Sequence, residues 1–131
     1  MTISYTKLLQ KIIFVGLVGL GFLAIIASGG SNEQSVGDGD GIIEVLNRDD
    51  KDYEVELRKF ADNSVVGSAT VFAFDVGDND WIFRFEDVPN GDYYLAIFLN
   101  GTEEDRTGSF SITGEQERCF EIDDDGDLQG C

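Results

Sequence analysis

At 131 residues the chain has material for one ordinary domain, and its formal charge of −17 at pH 7 is unevenly placed. No acid precedes Glu33, whereas Lys7 and Lys11 lie in the first dozen positions, so the remainder sets 26 acids against seven bases. That surface repels phosphate backbones and excludes nucleic acid as a partner class, while the lack of histidine removes Ser-His-Asp and Cys-His nucleophiles and imidazole zinc sites.

The first 29 residues read as an address. Two lysines and no acid precede Ile12 to Ala27, an uninterrupted run of apolar residues and glycine. These are the charged and hydrophobic regions of a secretory signal. Sixteen residues of helix cover about 24 Å, short of the roughly 30 Å hydrocarbon core, which favours a signal over a spanning anchor. A small-x-small cleavage site falls at Ala27-Ser28-Gly29, and retention as an uncleaved anchor is the alternative. The stretch Ile25 to Gly30 resembles the end of a bacterial lipoprotein signal. Serine replaces the cysteine that would carry the lipid, so the resemblance implies an envelope context without that anchor. Residues 30–41, rich in glycine and polar side chains, read as a flexible linker.

From residue 42 onward the hydrophobic period is two. Tyr53, Val55 and Leu57 alternate with charged residues, which predicts a strand with one buried face. Trp81, Phe83 and Phe85 repeat the device, as do Tyr93, Leu95, Ile97 and Leu99. Shorter runs at Ile42 to Asn47, Val65 to Val76, Gly108 to Thr113 and Glu117 to Ile122 bring the expectation to seven strands. No stretch after residue 41 carries a helical period, and residues 42–131 are therefore expected to form a seven-stranded antiparallel β-sandwich behind an N-terminal hydrophobic helix. Pro89-Asn90-Gly91 has the residue preferences of a turn and is read as a hairpin joining two aromatic strands. Asn100-Gly101-Thr102 is read as a second turn, although it also fits a glycosylation sequon.

The run VELRKFADNSVVGSATVFAF, followed by WIFRFEDVPNGDYYLAIFLNG, resembles the transthyretin-like sandwiches called carboxypeptidase regulatory-like domains and the related B-type repeats of collagen adhesins. The matching positions are Val55, Leu57, Phe83, Phe85, Val88, Pro89, Gly91, Tyr93 and Leu95. The resemblance implies a transthyretin-like or immunoglobulin-like fold and a role as stalk, spacer or accessory module. The adhesin isopeptide crosslink needs a lysine in the first strand and an asparagine near the last; 42–47 holds no lysine and 117–122 no asparagine, so no such crosslink is expected.

Cys119 and Cys131 are the only cysteines, and in an exported chain they are expected to pair. The strongest metal candidate is the acidic run Glu121 to Asp127, where Asp123, Asp125 and Asp127 offer oxygens at alternate positions before and after Gly126. Acidic loops of the same kind occur at 37–41 and 75–80. The calcium-loop pattern stops short of its twelfth position, and solvated acidic turns are the plainer reading. Trp81 and the tyrosines fall in strand phase, which assigns them to packing ahead of a sugar- or peptide-binding face.

The expectation is thus an exported bacterial envelope protein in the periplasm or at the cell surface, acting as a non-enzymatic structural or binding module. Its expected partner is an envelope protein or polysaccharide, it meets a membrane only through an uncleaved N-terminus, and it needs no cofactor. The alternative is a calcium-dependent adhesion or stalk element.

Overall fold

The computed structural model describes residues 32–131, which form ten strands and no helix. The expected signal or anchor helix over 1–29 lies outside the described residues. Seven of the ten strands are the predicted runs: β2 (Gly41–Asn47), β3 (Tyr53–Lys59), β4 (Val65–Val71), β5 (Ile82–Val88), β6 (Gly91–Leu99), β8 (Phe110–Ile112) and β9 (Glu117–Ile122). The other three are β1 (Glu33–Ser35), β7 (Thr102–Arg106) and β10 (Leu128–Gly130).

One five-stranded sheet runs β1-β5-β2-β9-β10; the second runs β4-β3-β6-β7, with β8 also on β6. The alternation read from the sequence decides what lies between them. Val55, Leu57, Leu95 and Ile97 from the second sheet meet Ile43, Val45, Phe85 and Ile122 from the first in one buried cluster, each fully buried. A Leu, Ile, Val or Phe fully buried there contributes about 1.5–3 kcal/mol, so this shared layer holds the sandwich-like arrangement together.

Three expectations need correction. The first sheet is mixed, since β2 runs parallel to β9 and β1 parallel to β5, whereas every pairing of the second sheet is antiparallel as expected. A short turn cannot join parallel neighbours. Between β2 and β9 the chain accordingly builds the entire second sheet before returning.

The described part of the expected 30–41 linker, residues 32–41, is also more than a linker. Glu33, Gln34 and Ser35 pair with Arg84, Phe85 and Glu86. The Gln34 side-chain oxygen accepts the Ser68 N–H at 3.1 Å, linking the two sheet edges. The glycines here allow close approach: a Cβ at Gly39 would overlap the Val88 carbonyl and the Pro89 backbone.

The turn at Pro89 exists, but β5 and β6 belong to different sheets. Pro89 and Asn90 therefore make a crossing between layers, not a hairpin, and the Tyr93 phenol braces it by donating to the Pro89 carbonyl at 2.7 Å. A true hairpin joins β6 to β7 through Asn100 and Gly101, whose φ values of 52° and 84° suit the tight turn that Asn-Gly favours.

Candidate functional site

The buried phase of β2 does not end with its apolar residues. After Ile43 and Val45 it continues through Asn47 and Asp49, 0% and 3% exposed. A buried polar side chain needs partners. Asn47 finds them by gathering the surrounding loops: its side-chain amide donates to the carbonyls of Lys51, Val71 and Phe72 at 2.7, 3.1 and 3.1 Å. Its side-chain oxygen accepts the Asp49 N–H, and its backbone N–H donates to the Trp81 carbonyl. Asp49 then receives the Tyr53 phenol at 2.5 Å and the Asp50 N–H at 2.7 Å. Burial raises the Asp49 pKa, but these hydrogen bonds outweigh it and the net direction is downward. The Tyr53 phenol is pushed above its ordinary value by burial and by Asp49.

This hub fixes two loops, 48–52 and 72–81, at one end of the sandwich. Phe74 N–H donates to the Asp49 carbonyl at 3.0 Å, and Ala73 N–H to the Asp52 carboxylate at 2.8 Å. The rings of Phe74 and Trp81 meet edge-on with centroids 4.8 Å apart, and the Arg48 guanidinium lies 5.0 Å from the Trp81 ring centre. Glu121 holds the Arg48 head at 3.1 Å. Trp81 is therefore half-buried outside β5, and the predicted strand over Val65 to Val76 stops at Val71. Aspartates end it: the Asp75 and Asp78 side chains accept the N–H of Gly77 and Asp80, forming turns within a run whose hydrophobicity looked strand-like.

The third loop is the β9–β10 turn, and it holds the candidate metal residues. One Asp123 oxygen accepts the N–H groups of Asp125 and Asp127, both at 2.9 Å. Ligand oxygens of Asp123, Asp124 and Asp125 lie within 4.8 Å of one another. The structure thus groups Asp123 and Asp125 with Asp124; Asp127 is outside that group, and repulsion from Asp123 raises its pKa. The turn abuts the hub, since a Cβ at Gly126 would sit 2.8 Å from the Tyr53 phenol oxygen. Acidic residues 37–41 lie elsewhere, leading from β1 into β2.

At the far end of the same hairpin, Cys119 and Cys131 sit at disulfide distance, Cα atoms 5.4 Å apart, closing a 12-residue separation. The Cys131 N–H also donates to the Cys119 carbonyl at 3.2 Å.

The sequence reading missed Asn47, Arg48 and Asp49 and the exposed display of Phe74 and Val76. The signal for the hub was available as a polar residue in a buried phase, at 47 and 49 after 43 and 45. No family model matches the chain, and no curated protein matches it.

Proposed function

We propose that this chain is an exported, non-enzymatic accessory module of a bacterial envelope, a transthyretin-like or immunoglobulin-like sandwich that acts by binding a protein or polysaccharide partner. The observation that carries the binding half is the braced 72–81 loop, which holds Phe74 39% and Val76 89% exposed. Loops positioned by a rigid scaffold are the usual carriers of recognition. The family assignment is supported by burial of Val55, Leu57, Phe85, Val88, Tyr93 and Leu95 in one core, six of the nine positions at which the resemblance lies.

Export is supported by the Cys119–Cys131 geometry, because disulfides persist in oxidising compartments. Residues 1–29 then act as a signal, or as the anchor if uncleaved, and the protein works in the periplasm or at the cell surface without a cofactor. Fractionation of the native cell tests this: recovery in the envelope or medium supports it, and recovery with cytoplasmic markers overturns it.

A second reading, calcium-dependent adhesion, is favoured by the approach of Asp123, Asp124 and Asp125. Under it, millimolar calcium raises the melting temperature, since a ligand held only by the native state stabilises it. An unchanged melting temperature removes this reading.

A further inference from the structure

We propose that Phe74, Val76 and Trp81 form a docking surface for a positively charged, extended segment of another protein. The inference rests on the binding role above and names the partner's chemistry.

Hydrophobic side chains displayed on a soluble domain need a reason when they cluster. Among the described residues the large exposed hydrophobics are Phe60, Val65, Phe74 and Val76, and the last two share one loop beside Trp81. That loop is internally braced. Asp75 accepts the Gly77 N–H at 2.8 Å, Asp78 accepts the Asp80 N–H at 3.0 Å, and the Trp81 indole donates to the Asp78 carbonyl at 3.0 Å. A surface ordered before binding loses less entropy on association, so a short segment suffices to engage it.

Charge selects the occupant. Loops 48–52 and 72–81 contain six aspartates against Arg48 and Lys51. Asp50, Asp52, Asp75 and Asp78 are exposed around the apolar side chains. A second copy brings the same negative rim and a net charge of −17, and is repelled. A lysine- or arginine-bearing segment is attracted by the rim, lays its aliphatic stems on Phe74 and Val76, and sets its cations against the exposed rim aspartates. The chain's own Arg48 lies 5.0 Å from the Trp81 ring centre and 5.8 Å from that of Phe74, with its head on Glu121. That internal cation is already paired, which leaves the rim aspartates to the incoming segment.

Trp81 is the sole tryptophan and reports on its own site. The test titrates full-length protein with a tryptophan-free Lys/Leu decapeptide, with Glu/Leu decapeptide and a neutral glucose oligosaccharide as comparisons. The expected result is a saturable shift in Trp81 emission with the Lys/Leu peptide alone, weakened by salt and weakened about tenfold in Val76→Ser. Val76 is 89% exposed, so that variant keeps the fold. The proposal is overturned if Trp81 does not respond, if Val76→Ser binds as tightly as the parent, which reduces the effect to charge alone, or if either comparison ligand binds equally well. Envelope recovery of a protein that fails this titration removes the docking surface and leaves the exported module standing; cytoplasmic recovery removes the exported module whatever the titration gives.

Discussion

The Tyr53 phenol donates to the Asp49 carboxylate across 2.5 Å, and Asp49 is 3% exposed. The pair joins the start of β3 to the loop that precedes it, beside the β9–β10 turn. An ionised group so placed depends on its hydrogen bonds, and removing a partner leaves desolvation uncompensated. Tyr53→Phe should therefore lower unfolding free energy by about 1–3 kcal/mol, measured by urea denaturation. An unchanged midpoint would mean that Asp49 is satisfied without the phenol.

Asn47 should be costlier to lose. Its side-chain amide serves three carbonyls, and its oxygen serves the Asp49 N–H. Asn47→Ala should destabilise by about 3 kcal/mol and loosen loops 48–52 and 72–81 together. Hydrogen exchange that quickens in both loops checks the coupling; quickening in only one contradicts it.

The pH dependence follows from shifts of opposite sign. Tyr53 has a raised folded pKa, so its contribution is fully present below the ordinary value of 10.0 and is lost as pH rises through the folded value. Asp49 has a lowered folded pKa; its contribution is present above the ordinary 3.8 and lost as pH falls through the folded value. Glu86, raised by burial and by the neighbouring Glu33, and Asp127, raised by Asp123, bind protons more readily when folded. Their contribution is present below the unfolded pKa and lost as pH rises through the folded one. Thermal midpoints should peak at mildly acidic pH, about 4–5, and fall on both sides. In Tyr53→Phe the decline above about pH 10 should flatten.

Closing the loop between Cys119 and Cys131 should contribute roughly 3 kcal/mol by the chain-entropy argument. Denaturation with and without reductant measures it. Equal midpoints, with two thiols titrating in both samples, would mean that the bond does not form.

Most of the core was legible because its strands alternate: Tyr53, Val55 and Leu57 are buried as their phase requires. Which sheet each strand joins was not, because a period of two marks faces and says nothing about neighbours. Thus Pro89 was recognisable as a turn but not as a crossing. β7, reading Thr-Glu-Glu-Asp-Arg, has no apolar residue to betray it and exists through the Asn100-Gly101 hairpin. β1 was hidden among glycines whose role is close packing. In the candidate site, hydrophobicity misplaced Phe74 and Val76 in a strand, while local aspartate hydrogen bonds had turned the chain outward.

Whether the chain is exported and oxidised is decided by the intact mass of the protein recovered from native envelope fractions. The predicted result is a chain beginning near Gly30 and about two mass units lighter without reductant than with it. Full-length, fully reduced protein recovered with cytoplasmic markers would contradict export.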